Sequence, residues 1–134
     1  MIKKSLLNEC LKISRNRLLK HPEFLNYPHY SFVILNNKIC GMGINQPHEP
    51  DRRMGYHKRI LKNDFRPKTH SEMNVLSKNN RSLKNGFILI NIRLNRSGQP
   101  RMSAPCSICR NLLFRFGCKK VYFTHEYGWG KIIF

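Results

Sequence analysis

The residues best equipped for chemistry are two thiols, Cys106 and Cys109 in Ser103-Ala104-Pro105-Cys106-Ser107-Ile108-Cys109-Arg110, and two groups far upstream in His70-Ser71-Glu72. Thiols one helical turn apart project from one face, and a helix start favours their thiolate forms. Two sulfurs can begin a metal site, and an imidazole from another helix start makes a third ligand. Tetrahedral zinc with three protein ligands keeps a position for water, which separates a catalytic site from a closed structural one. Glu72 is then expected to carry protons rather than to ligate.

Each of these residues has a plainer reading. Glu72 stands three after Thr69, so the pair also fits a capping box in which the carboxylate bonds the backbone of its own helix start. The thiols also suit a closed zinc site, which would need Cys118 or His125 as fourth ligand. The presence of both halves together favours the catalytic arrangement.

The elements that must position these groups follow from periodicity. Leu6, Leu7, Cys10, Leu11, Ser14 and Leu18 recur at helical spacing within 2–20, with lysines and arginines mostly off the stripe, and His21-Pro22 ends the helix. Tyr30–Leu35 and Lys38–Ile44 flank Asn36-Asn37, which predicts an antiparallel hairpin. A helix is expected after Thr69 through about Lys78, with Met73, Val75 and Leu76 toward the core. Phe87–Leu94 reads as a central strand buried on both faces, followed by a loop over 95–100. Ser103 is expected to cap the next helix, with Pro105 in its first turn, Ile108, Leu112, Leu113 and Phe116 inside and Gly117 at its end. Lys119–Thr124 and Gly130–Phe134 are two further strands whose short connection requires them to be antiparallel.

Length and composition bound the rest. At 134 residues, 40% hydrophobic, the chain is expected to form a single domain over 1–134 with its own core. Lys and Arg number 25 against 7 Asp and Glu, a net charge of +18 that suggests a polyanionic partner. The segment 46–69 carries much of it, interleaved with Tyr56 and Phe65, and its length inside a compact domain points to function; a short helix over 56–61 is compatible with it. His48 and His57 within it lack a cysteine pair and read as surface histidines. Five cysteines, an odd number, with no signal peptide or spanning segment, fit an intracellular, reducing compartment such as the cytoplasm and no membrane partner.

The whole pattern, His70-x-Glu72, 32 intervening residues, then Pro105-Cys106-x-x-Cys109, resembles the cytidine deaminase superfamily over Tyr30 to Thr124. The resemblance implies a three-layer α/β/α cytidine deaminase-like fold with a mixed five-stranded sheet whose last strand is antiparallel. It implies one catalytic Zn2+ on His70, Cys106 and Cys109, with Glu72 moving protons while cytosine is hydrolysed to uracil. Gly43-Ile44-Asn45 is similar to the Gly-x-Asn of tRNA adenosine deaminases, so Asn45 is expected to contact the nucleoside, and Ser71, Ala104 and Ser103 to border the base. Ser71 stands where alanine or cysteine is common. By the same resemblance, the early end after the fourth strand favours cytosine over adenine, and 46–69 would lie at the pocket entrance. The charge favours single-stranded DNA or RNA as substrate. The alternatives are free cytidine, deoxycytidine or their monophosphates, and an inactive fold that binds nucleic acid; an oligomer is compatible with all three.

Overall fold

A computed structural model describes residues 2–20, 28–45, 70–79, 83 and 86–134. Helix α1 (Lys4–Lys20) buries Leu6, Leu7, Cys10, Ser14 and Leu18, the stripe expected from spacing. Strands β1 (His29–Leu35) and β2 (Lys38–Ile44) are joined by Asn36 and Asn37 at φ 51° and 61°, the left-handed pair that a two-residue hairpin turn demands. Then come α2 (Ser71–Asn79), β3 (Phe87–Leu94), β4 (Pro100–Arg101), α3 (Ser107–Arg115), β5 (Cys118–His125) and β6 (Gly128–Ile133).

The sheet runs β2-β1-β3-β5-β6. Strands β3 and β5 are parallel with α3 in the connection between them, and the other neighbours, including β5 and β6, are antiparallel. The expected five strands form this path. A sixth, β4, lies off it: Pro100, the last residue of the segment read as loop, stands opposite Leu94, and the next residue, Arg101, opposite Arg93.

Alternation along the strands sorts side chains into two layers of core. Phe32, Ile34, Ile90, Ile92, Leu94 and Tyr122 pack with Leu6, Leu7, Cys10 and Leu18 of α1. Val33, Leu89 and Val121 pack on the opposite face with Met73, Val75 and Leu76 of α2 and Ile108, Leu112 and Leu113 of α3. The result is the expected three-layer α/β/α architecture. Helix α2 lies close on β2 because position 43 has no side chain: a Cβ on Gly43 would stand 2.5 Å from the Val75 nitrogen and 2.7 Å from the Ser71 carbonyl oxygen.

One expected cap is absent from its place. Helix α3 starts at Ser107 with Cys106 as N-cap, its φ −67° and ψ 169° extended and its sulfur accepting the Cys109 N–H at 3.5 Å. Ser103 is drawn away by the sheet: its Oγ lies 2.9 Å from the Asn91 carbonyl and accepts the Thr124 N–H at 2.8 Å. Pro105 accordingly precedes the cap instead of occupying the first turn. Gly117 closes the helix at φ 89°, as expected. His21-Pro22 and the whole of 46–69, with Thr69, His48, His57 and the stretch 56–61 compatible with a short helix, lie outside the described residues. Among the described residues no helix is long and apolar enough to cross a membrane, and none of the five cysteines is in a disulfide.

Candidate active site

His70 directly precedes α2, and its carbonyl accepts the Asn74 N–H at 3.0 Å. Cys106 and Cys109 occupy the N-cap and first turn of α3, so two helix starts converge on one point across the edge of the β1–β3–β5 face. The His70 Nδ1 stands 3.7 Å from Cys106 Sγ and 3.4 Å from Cys109 Sγ. Zinc–sulfur and zinc–nitrogen bonds of about 2.3 and 2.05 Å at a tetrahedral angle place such donors about 3.6 Å apart, so the three residues fit one zinc ion. Among the described residues these three form the one group with metal-ligand spacing, and neither Cys118 nor His125 joins it.

The electrostatics suit ligation. The Cys109 thiol donates to Cys106 and, against the effect of burial, this bond and the His70 ring hold Cys106 down at about 4. The same contact and burial push Cys109 well above the usual thiol value. Cys106 is thus the readier thiolate, and a metal cation would take the place of the Cys109 proton.

Glu72, in the first turn of α2, is buried, at 1% exposure. Its Oε1 accepts the Ser71 hydroxyl at 2.8 Å. Ser71 Oγ lies 2.7 Å from Ser31 Oγ, which donates to Asn91 Oδ1 at 2.6 Å. Asn91 Nδ2 in turn donates to the Ser103 carbonyl at 3.2 Å, so the chain ends on the segment leading to Cys106. It exists because Ser31 and Asn91 are opposite one another in the β1–β3 register and point to the α2 face. Four oxygens, from Glu72 to Asn91, are joined by close contacts of 2.8, 2.7 and 2.6 Å and a longer one of 3.5 Å from Ser31 Oγ to Glu72 Oε1, and the two hydroxyls bring two protons. A proton on Glu72 would give each close contact its own. Burial works to raise the Glu72 carboxyl, and His29 and the Ser71 hydroxyl outweigh it, holding the group below its ordinary value. The arrangement therefore accommodates both protonation states of one carboxyl.

Three residues were expected to contact the substrate: Asn45, Ser71 and Ala104. Asn45 follows β2; its Oδ1 accepts the His29 N–H at 3.0 Å and its own N–H donates to the His29 carbonyl at 3.1 Å, which fixes the start of β1. Ser71 is fully buried with its hydroxyl turned to Ser31 and Glu72. Ala104 is half-buried between Ser103 and Pro105. Sequence reasoning passed over His29, Ser31 and Asn91. Asn91, a polar residue in the middle of Phe87-Ile88-Leu89-Ile90-Asn91-Ile92, carried a signal, since a side chain amide in an apolar central strand needs a partner.

No family model and no curated protein matches this sequence. Solved structures do resemble the fold. The dCMP deaminase from the cyanophage S-TIM5 in apo form is 19% identical, with a TM-score of 0.53 over 91% of this chain and 84% of that one. The same enzyme in complex with dCMP and dUMP gives 18%, 0.54, 92% and 83%. The cytidine deaminase from Mycobacterium leprae gives 14%, 0.54, 90% and 88%. The chain has the cytidine deaminase-like fold.

Proposed function

We propose that this chain is a zinc-dependent hydrolase that converts cytosine to uracil in a free nucleoside or nucleotide, dCMP or cytidine being the first candidates. The observation that carries the reading is the zinc-sized spacing of His70, Cys106 and Cys109 beside a buried carboxyl, Glu72. Bound zinc supplies Lewis acidity that makes water a nucleophile near neutral pH.

The chain's residues supply the rest. Glu72 accepts one proton of the attacking water and delivers it to ring N3, then takes the proton of the new C4 hydroxyl and passes it to the amine as the C4–N bond breaks, so that water and cytosine give uracil and ammonia. Ser71, donating to Oε1, fixes the carboxyl rotamer, and the Ser31–Asn91 pair holds Ser71. Asn45 holds the start of β1 and is the proposed nucleoside contact; Ala104 borders the base.

The likeness to dCMP and cytidine deaminases favours a monomeric substrate and lends no support to a single-stranded nucleic acid. The charge of +18 is then read as attraction for a substrate phosphate, and it is also the one observation that favours a polynucleotide. Zinc-loaded protein offered cytidine, deoxycytidine, CMP, dCMP, single-stranded DNA and RNA decides between them. Uracil products among the monomers are expected, and uracil in the polymers alone would transfer the reading to nucleic acid. Glu72→Gln is expected to keep its zinc and lose about 10²–10⁴-fold in kcat; full activity would remove Glu72 from its role.

A further inference from the structure

Among the described residues, His29 Nε2 is the one buried side-chain nitrogen or oxygen without a hydrogen-bond partner. Native proteins rarely leave such an atom orphaned, because the lost hydration is not replaced. Its position gives the reason a meaning. His29 opens β1, two residues before Ser31, on the same face; its ring is partly exposed, while Nε2 points inward to 3.7 Å from Glu72 Oε1. That separation is just beyond a direct hydrogen bond. The backbone of His29 is clamped on both sides by Asn45, so the ring is held where it is. Burial works to lower the pKa of the imidazole and Glu72 to raise it, and Nε2 can donate to a bound group both in the protonated ring and in the tautomer that carries its proton there.

Resting on the deaminase reading above, we propose that His29 is a substrate-contacting residue whose Nε2 makes a hydrogen bond to the polar ring edge of the bound pyrimidine. The carboxyl that protonates the ring lies within one heteroatom of Nε2, so the partner belongs to the base rather than to a distant phosphate. An atom left without a partner in the free protein is satisfied when the base arrives.

The test uses the zinc-loaded full chain and the variants His29→Phe and His29→Gln. Zinc content, thermal midpoint, calorimetric Kd for the products dUMP and uridine, and kcat and KM for dCMP and cytidine are measured. His29→Phe is expected to retain zinc and not to lower the thermal midpoint, since it removes an unsatisfied group, while Kd and KM rise about 10- to 100-fold. His29→Gln, which restores a polar terminus, is expected to recover part of that affinity. Product Kd and KM unchanged in both variants would overturn the proposal, as would a fall confined to kcat, which would make His29 a support for Glu72 alone. A wild-type protein that neither binds nor deaminates any pyrimidine nucleoside or nucleotide would instead overturn the deaminase reading itself.

Discussion

Ser31→Ala is the most informative single change, because Ser31 joins the carboxyl of α2 to the centre of the sheet. Its hydroxyl is fully buried and lies 2.6 Å from Asn91 Oδ1, 2.7 Å from Ser71 Oγ and 3.5 Å from Glu72 Oε1. Removing it strands a buried amide oxygen and takes one partner from Ser71, which costs about 1–3 kcal/mol. For a domain of this size about 1 kcal/mol moves the thermal midpoint by about 3–5 °C, so a drop of about 3–15 °C is expected. The companion change Asn91→Leu removes the other side of the same bond. Each single variant leaves a polar group without its partner and the double variant leaves fewer, so the two costs should fall short of additivity by about 0.5–3 kcal/mol. Chemical denaturation of the four proteins, zinc-loaded, measures that coupling. Steady-state assays should show kcat of Ser31→Ala reduced about 10- to 100-fold at unchanged zinc content, through loss of aim of Glu72. Additive stabilities together with a wild-type kcat would refute the claim that this chain of hydroxyls positions the carboxyl.

Two other outcomes are expected. Cys109→Ser should bind less than one zinc per chain and lose the thermal stabilisation that zinc gives, because metal held only by the folded state adds to its stability, whereas Cys118→Ser should bind zinc as the wild type does; loss of zinc from the Cys118 variant, by atomic absorption, would contradict the three-ligand assignment. In alkaline solution, burial first of all raises Cys10 and Cys118 from 9.0 to about 12 and Tyr30 from 10.0 to about 12. These groups stay protonated in the fold and ionise in the unfolded chain, so stability is full below pH 9.0 and falls as pH climbs toward about 12, by up to about 1.4 kcal/mol per pH unit for each group; denaturation midpoints that are level between pH about 8 and about 11 would refute it.

Much of the architecture was legible because it depends on local pattern. The α1 stripe, the Asn36-Asn37 turn and the alternation in β3 each follow from periodicity or dihedral preference within a few residues. The metal-ligand spacing of His70, Cys106 and Cys109 was legible because an i, i+3 thiol pair at a helix start has few other uses. What escaped depends on register. Ser31 and Asn91 are 60 apart in sequence and meet only because β1 and β3 pair as they do, and His29 joins Glu72 for the same reason. Ser103 misled because a serine before a helix is a good cap locally, and only the parallel placement of β5 beside β3 brings Thr124 to compete for its hydroxyl. Substrate size depends on how distant parts of the chain meet, so the charge of +18 spoke for a polymer where a free nucleoside or nucleotide is now the substrate proposed.

Gly43 constrains how this protein can change. The two backbone groups its missing side chain admits, the Ser71 carbonyl and the Val75 nitrogen, flank Glu72 in the same turn of helix. Any larger residue there would lift that turn bodily from the sheet, carrying the carboxyl away from Ser31 and the imidazole of His70 away from both sulfurs. Drift toward a new base or a larger substrate is thus barred at this position. It must proceed through residues that do not set the depth of α2, and Ala104, proposed to border the base, lies outside that helix.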